Sequence, residues 1–477
     1  MTAIPLRPGA SPLSADDAAY LARRVEGVVL QPGDAGYAEE CTTSNKVVTY
    51  RPLAVIGAVA AEDVRVAVDF ARRRGLPVGV MATGYGASRP ADGALLVNTR
   101  RMNAVSVDLD ARTARAEAGV RWRKVVDAGA PFGLAPLSDS CLDLGVVGAT
   151  LGGGLSPVLG RSRGWAADHV RSIELVTSDG VLRRIGPDRE EDLFWAIRGG
   201  TGNFGVVTAI EFDLFALRRL YGGGLFFEGE RAGDVLHAFR SWVAAMPEDM
   251  SASVALLRPP PLPSVPQPLR GRFTVHLRVA YLGPAEEGER LLAPMRALGP
   301  AIMDTVGEMR PSAVGEIHGD IAGPMYIHHA AAGLRELTPG AIDVVLRLAG
   351  PASGSPLNLV ELRHLGGALR RDPRIPNAVA GRDAEFQILA AGTGSPDQAS
   401  ALHARADEVV SALGRWWADG VNLNCLSARD ARVNAARHAF DRRTYDRLVL
   451  VKKLYDPDNM FRINHNIAPS RRPGIEY

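Results

Sequence analysis

The sequence lacks the features that mark several large classes of protein. Its 477 residues include three cysteines, Cys41, Cys141 and Cys425, which lie far apart and form no CxxC pair. Neither a disulfide framework nor a zinc site is therefore indicated. No run reaches the roughly 18 apolar residues of a membrane span, and residues 1–25 lack the apolar core of an export signal. We therefore expect a cytoplasmic protein without a membrane partner.

A strong charge of one sign is also missing. The chain carries 55 Lys and Arg residues against 53 Asp and Glu residues, a formal charge of +2, and the basic residues are scattered. This balance does not indicate nucleic acid as a partner. With 46% hydrophobic residues, the composition is that of a globular protein with an ample core. The length suggests two or three domains at about 100–200 residues each.

Several catalytic motifs are absent as well. The sequence contains neither GxxxxGK[ST] nor HExxH, and its ten histidines form no recognisable ligand set. A nucleotide triphosphatase is therefore not indicated, and no metal site is predicted. Gly84-Tyr85-Gly86 begins like a dinucleotide fingerprint, but Arg89 stands where the third glycine would be needed.

A strand–helix–strand pattern opens the regular part of the chain. Residues 53–59 and 76–81 are apolar and predict strands. Between them, residues 61–74 carry apolar side chains at helical spacing, and Gly75 follows as a C-cap. This unit leads directly into the loop 82–88, which is the first place to expect chemistry.

A second glycine-rich run, residues 145–154, follows in the same predicted domain. Further strands are predicted at 94–97, 105–109, 114–118 and 206–212, helices at 122–130 and 190–197, and a hairpin at 172–185. Consecutive backbone N–H groups without side chains form a nest for phosphate oxygens. The alternative is that these glycines only permit tight turns.

The chain changes character near residue 221. Helices predicted at 233–245 and 285–298 alternate with strands at 273–281, 358–363 and 385–391. This pattern predicts an α+β domain with a largely antiparallel sheet. The proline-rich stretch 258–271 predicts an exposed loop. The tail 445–466 is too short for a domain, so we expect it to pack on an earlier one.

Taken in order, these segments resemble FAD-linked oxidoreductases of the berberine bridge enzyme type. Their flavin domain is shared with vanillyl-alcohol oxidase and p-cresol methylhydroxylase. The resemblance covers nearly the whole chain and rests on the two glycine-rich segments and the following motifs: Asp92-Gly93, ARAEAG at 114–119, DLFWAIRGG at 192–200, GNFGVVT at 202–208, and the tail YDPDNMFRINHNI.

The resemblance implies an α+β fold in which a two-part FAD-binding domain adjoins a substrate domain and the tail returns to the FAD-binding domain. The implied divisions are a leader at 1–45, an FAD-binding domain at 46–220, a substrate-binding domain at 221–425 and a C-terminal segment at 426–477.

The resemblance also implies which residues hold FAD. They lie in the two glycine-rich segments, at the cysteine before the second of them, in the GNFGVVT motif and in the tail: Ala82, Thr83, Gly84, Tyr85, Gly86, Ala87, Ser88, Cys141, Gly145, Val146, Gly148, Gly152, Gly153, Gly154, Gly205, Val207, Asn464 and Asn466.

One of the two flavin-attachment positions of the family departs from its pattern here. Many members carry a flavin-attaching histidine in the first loop, where this chain has Tyr85. The second family attachment is a cysteine four residues before the second loop, and Cys141 occupies that position before Gly145. We therefore expect a thioether from Cys141 to flavin C6, the alternative being a buried free thiol. Tyr85 is expected to pack near the flavin edge.

The active-site base cannot be assigned in this way. Many oxidising members carry a Tyr-x-Asn segment, and this chain has Asn422-Leu423-Asn424 there. Glu361 and Arg363 share one face of a predicted strand, which is typical of a structural ion pair. The candidates for the base are Glu361, Tyr326, His328 and Tyr445.

The function implied by the resemblance is that of an oxidase. A hydride would pass from a small organic substrate, such as a secondary-metabolite intermediate, to FAD, and dioxygen would accept the electrons and yield hydrogen peroxide. One alternative is a cyclase that retains FAD without net redox change. Another is a flavin-binding protein without catalysis. A fold alone does not decide among these functions.

Overall fold

The computed structural model describes residues 13–320, 323–431 and 435–469. The chain has mixed helices and mostly antiparallel sheets, which confirms the predicted α+β class. Residues 1–12 of the predicted leader, and residues 432–434 and 470–477 of the predicted C-terminal segment, lie outside the described residues. Among the described helices, none is both long and apolar enough to cross a membrane.

The predicted strand–helix–strand unit is present. The helix spans Ala61–Arg74, with acidic residues in its first turn, arginines in its last turn and Gly75 in the left-handed conformation as its C-cap. This charge distribution matches the helix dipole. The flanking strands Ala54–Gly57 and Val78–Met81 each pair in parallel with Leu95–Asn98. The loop 82–88 therefore starts at the carboxyl ends of these three parallel strands.

Two sheets occupy the first half of the chain. The first has the strand order Val28–Leu30, Ala54–Gly57, Leu95–Asn98 and Val78–Met81. The second has the order Val105–Asp108, Thr113–Glu117, Val206–Asp213, Val170–Val176 and Leu182–Ile185. A short pair, Leu134–Ala135 with Phe215–Ala216, lies apart from both. Because Val28–Leu30 pairs with Ala54–Gly57, part of the predicted leader is built into the first sheet.

The second half of the chain is built on one large antiparallel sheet. Its strand order is Met303–Asp304, Leu220–Glu228, Thr274–Tyr281, Met250–Leu257, Leu359–His364, Phe386–Thr393 and Ile327–Leu334. Gly307–Met309 also pairs with Leu220–Glu228. The antiparallel sheet predicted for this half is thus confirmed, whereas the domain boundaries at 46, 221 and 426 stay predictions.

Helices cover one face of the large sheet. Apolar side chains of three helices, such as Leu236, Val345 and Leu402, join the same buried cluster as Leu277 and Ile388 of the strands. The opposite face of the sheet is therefore free to form a wall of the site. The helices of eight or more residues in the described chain are Ala15–Ala22, Ala61–Arg74, Trp122–Gly129, Glu191–Gly200, Ala232–Val243, Ala285–Arg296, Pro339–Ala349, Ala399–Ser411 and Arg442–Tyr455. Shorter helices are Tyr37–Glu40, Val146–Leu151, Gly160–Arg163 and Gly315–His318.

The C-terminal segment returns to the first half, as predicted. The buried Lys452 Nζ donates to the Asn203 carbonyl oxygen at 2.6 Å and to Asp456 Oδ2 at 2.6 Å. The backbone N–H of Val78 donates to the Met460 carbonyl at 3.0 Å. Helix Arg442–Tyr455 and the residues after it are thereby held against the sheets of the first half.

Candidate functional site

A cavity of about 1210 Å³ lies between the glycine-rich loops of the first half and the open face of the large sheet. This volume exceeds the roughly 300–1,000 Å³ typical of small-molecule sites. Residues 82–88 line the cavity on one side, and Leu359, Glu361 and Arg363 line it on the other. The proline-rich loop 258–271 is mostly exposed, as predicted. Its buried residues Val265 and Leu269 line the cavity.

The first glycine-rich loop lies on the cavity wall along its whole predicted length. Gly84 has a φ of +71°, and a Cβ there would meet Thr43 Cα at 2.7 Å, so a side chain would be both strained and obstructed. A Cβ at Gly86 would meet nothing within 4 Å. The backbone at Gly86 is therefore open to the cavity.

The second glycine-rich run divides into two parts. Gly145 and Gly148 line the cavity, and a Cβ at Gly148 would also meet nothing within 4 Å. Four predicted cofactor-binding residues of this run do not line it: Val146, Gly152, Gly153 and Gly154. Their assignment to the cofactor stays a prediction, and the physical reason why they lie off the wall differs between the valine and the glycines.

Val146 belongs to the hydrophobic core, and the three glycines serve close packing. A Cβ at Gly152 would lie 2.1 Å from Asn424 Oδ1, and one at Gly153 would lie 1.8 Å from Asn422 Nδ2. A Cβ at Gly154 would lie 2.5 Å from the Cβ of Ala166. These glycines therefore let the 422–424 segment and the chain near Ala166 approach the end of the run.

The remaining predicted cofactor residues lie near the tail. Gly205, Val207 and Asn464 line the cavity, whereas Asn466 does not. Asn464 Nδ2 donates to the carbonyls of Gly202 and Phe461, while its Oδ1 has no partner among the described residues. The tail therefore places an unpaired acceptor at the cavity wall.

The two family attachment positions meet across this wall. Tyr85 Oη and Cys141 Sγ are 3.8 Å apart, and both residues line the cavity. Burial raises the pKa of the Cys141 thiol and also that of Tyr85, so both groups are protonated near neutral pH. The sequence analysis predicted that both residues belong to the site, but it did not predict that they contact each other.

Among the four candidates for the base, only Glu361 lines the cavity. Its side chain is fully buried and accepts hydrogen bonds from Ser253 Oγ at 2.7 Å, Arg278 Nη1 at 2.8 Å and Arg363 Nε at 2.9 Å. Burial would raise the pKa of this carboxyl, but Arg363 and Arg278 outweigh it and hold the pKa well below its usual value. The geometry therefore favours a positioning role for Glu361.

The other three candidates lie away from the cavity wall. His328 contacts His403 of helix Ala399–Ser411, with 3.0 Å between ring nitrogens, because it faces the helix-covered side of its strand. Tyr445 packs against the core of the first half. Tyr326 lies between the cavity-lining Met325 and Ile327 and does not line the cavity itself.

Sequence reasoning missed several polar residues of the wall, among them Asp139, Arg278 and His329. His329 could have been found by strand alternation, since it follows His328 and faces the opposite side. Asp139 is hydrogen-bonded through Oδ1 to Ser140 Oγ at 3.1 Å and to the Cys141 N–H at 3.4 Å. Burial raises the pKa of Asp139, although Arg363 opposes this effect.

The residues present fit a bound FAD. The cavity has room for a large cofactor together with a substrate, and its glycine backbone at 86 and 148 allows close approach of an anion. Asn464 Oδ1 and His465 Nδ1, both at the wall, have no hydrogen-bond partner in the described chain. A cofactor in the cavity would satisfy such groups. The described residues contain no group of three or more His, Cys, Asp or Glu side chains suited to a metal ion.

Comparisons with known proteins agree with this fit. Residues 52–186 match the family model of an FAD binding domain, and residues 422–468 match the model described as berberine and berberine like. The chain is 26% identical to (R)-6-hydroxynicotine oxidase of Paenarthrobacter nicotinovorans over 459 residues, which cover 93% of this chain and 97% of that relative.

Solved structures give the same result. 6-hydroxy-D-nicotine oxidase from Arthrobacter nicotinovorans superposes with a TM-score of 0.81 at 25% identity, covering 98% of this chain and 100% of that one. The berberine bridge enzyme-like protein 1 of Physcomitrella patens has a TM-score of 0.81 at 19% identity, covering 96% and 99%, which shows a shared fold. The chain is therefore an FAD-dependent oxidoreductase that is similar to berberine bridge enzyme-like proteins in its FAD binding domain, its berberine-like segment and its fold.

Proposed function

We propose that this oxidoreductase is an oxidase acting on a small organic substrate, with dioxygen as the electron acceptor and hydrogen peroxide as the product. One observation carries the proposal: the glycine-rich loops and the polar face of the large sheet line one continuous cavity. Cofactor and substrate can therefore lie in contact. FAD, when bound, supplies the acceptor for a hydride. The name of the nicotine oxidase relative supports an oxidase.

The same proposal assigns roles to residues of this chain. Backbone at Gly84, Gly86 and Gly148 would hold the pyrophosphate, and Cys141 would attach the flavin through a thioether. Asp139 would take the proton that the substrate loses, because one of its oxygens is anchored and Oδ2 makes no hydrogen bond within the described chain. Buried carboxyls of raised pKa suit such work.

Anaerobic reduction of the bound flavin tests the proposal. The purified yellow protein is mixed without oxygen with a panel of alcohols, amines, sugars and hydroxy acids, and the visible absorbance of the flavin is followed. We expect bleaching by at least one class and peroxide formation when air returns. Product formation with an unchanged oxidised spectrum would support the cyclase instead, which the oxidoreductase relatives do not favour. Cytoplasmic location and a role in secondary metabolism stay predictions.

A further inference from the structure

Arg363 places a guanidinium group at the cavity wall with part of its hydrogen-bonding capacity unused. Its Nε donates to Glu361 Oε2 at 2.9 Å, and its side chain is 16% exposed. No described residue hydrogen-bonds to either of its Nη atoms. Because Arg363 lines the cavity, these N–H groups are available to a ligand there.

The guanidinium is held in place before any ligand arrives. Glu361, its partner, is fixed by Arg278 and Ser253. Arg278 in turn donates from Nε to His276 Nδ1 at 3.1 Å and from Nη2 to the His318 carbonyl at 3.4 Å. A donor fixed in this way loses little conformational entropy when it binds a ligand.

Arg363 shares its ion-pair partner with a second arginine. Two arginines, Arg278 and Arg363, share the single carboxylate of Glu361. Burial lowers the pKa of both His276 and His318, so neither imidazole adds a charge near neutral pH. Two other carboxyls, Asp139 and Asp320, act on Arg363 only through space and form no ion pair with it.

Apolar side chains continue the cavity wall from this point. In the sheet register Arg363 is paired with Gln387, Glu361 with Leu389, and Leu359 with Ala391. Leu389, Leu359 and Ala391 also line the cavity. A polar anchor is therefore followed by an apolar surface along the same strands.

We propose that Arg363 binds a carboxylate of the substrate, so that the substrate class is an organic acid with an apolar body. The Nη groups would donate two parallel hydrogen bonds to the carboxylate oxygens, the geometry that arginine favours. The apolar body would lie over Leu359, Leu389 and Ala391. This inference rests on the proposed function and specifies the substrate of the same site.

A pair of probes that differ in charge tests the proposal. Benzoate and its neutral isostere benzamide are titrated into the flavin-loaded protein, and the perturbation of the visible flavin spectrum gives both dissociation constants. We expect benzoate to bind about tenfold to a hundredfold more tightly than benzamide, as for a hydrogen-bonded charge. In Arg363→Gln that preference should disappear while benzamide binding is unchanged.

Two further variants keep the test decisive. Arg363→Lys retains the charge but not the paired donors, so it should keep only part of the preference for benzoate over benzamide. This variant also keeps the test possible if Arg363→Gln does not fold. Arg258→Gln removes a positive charge from the same wall, where the guanidinium is already bound to the carbonyls of Ala349 and Gly350. It should keep the full preference.

The outcomes separate this inference from the proposed function. Equal binding of both probes, no binding of benzoate, or an unchanged preference in Arg363→Gln would overturn the inference and leave the oxidase proposal intact. A protein that binds flavin but is never reduced by any substrate class would instead contradict the oxidase proposal, whatever the probes show.

Discussion

Asp139 combines three properties at the scale of the single residue. It lines the cavity, its Oδ1 is anchored by neighbouring donors, and burial raises its pKa. A base acts in its ionised form, so flavin reduction by substrate should slow as the pH falls through this raised pKa. Asp139→Asn should slow reduction by about 10²–10⁴-fold and remove that pH dependence. Stopped-flow reduction under anaerobic conditions measures both effects.

Asp143→Asn is the matched control for that variant. Asp143 lies two residues after Cys141, does not line the cavity and pairs weakly with Arg121 at 3.9 Å. Its substitution should leave both the reduction rate and the pH profile as in the parent protein. A normal profile in Asp139→Asn would exclude Asp139 as the base.

Cys141 carries the prediction of covalent attachment. Forming the C6–S bond breaks the S–H and ring C–H bonds and releases two protons and two electrons, which dioxygen takes up. After acid precipitation the parent protein should keep its yellow colour in the pellet, whereas Cys141→Ser should release it to the supernatant. Tyr85→Phe removes the hydroxyl 3.8 Å from the sulfur and should still retain the colour. Release from the Tyr85 variant alone would move the attachment to Tyr85.

At the scale of the element, the end of the second glycine-rich run determines how closely the 422–424 segment approaches. Gly153 has a φ of +130°, and a Cβ there would lie 1.8 Å from Asn422 Nδ2. Gly153→Ala should lower the free energy of unfolding by about 1–3 kcal/mol from backbone strain alone, and by more from the steric clash. Urea denaturation measures the loss. Gly414→Ala, where a Cβ meets nothing within 4 Å, should be nearly neutral.

Elements were more predictable than the directions in which their side chains point. Helix Ala61–Arg74 was predicted to the residue because spacing, end charges and Gly75 agree locally. The sequence could not show that Gly148 lines the cavity whereas Gly152 and Gly153 serve close packing. That difference depends on asparagines about 270 residues further along the chain. Similarly, nothing in the sequence alone distinguishes His328 from His329. They differ because the helix containing His403 covers the face of the strand on which His328 lies.

At the scale of the whole molecule, one buried lysine joins the C-terminal segment to the first half of the chain. Lys452 and Asp456 are both fully buried, with 2.6 Å between Nζ and Oδ2. The same Nζ reaches the carbonyls of Asn203 and Phe461. The residues that follow, Ile463, Asn464 and His465, line the cavity. The stability of the tail and the retention of the cofactor should therefore change together.

Lys452→Met tests this coupling because it keeps the length of the side chain and removes its charge. Asp456 would lose its buried partner, so the free energy of unfolding should fall by about 3–5 kcal/mol. The bound flavin of a Cys141→Ser background should also dissociate more readily, since the tail forms part of the wall. The exposed Lys453→Met next to it should change neither quantity. If Lys452→Met lowered stability while flavin affinity stayed constant, the tail would fold independently of the cavity, and the wall formed by residues 463–465 would contribute nothing to cofactor binding.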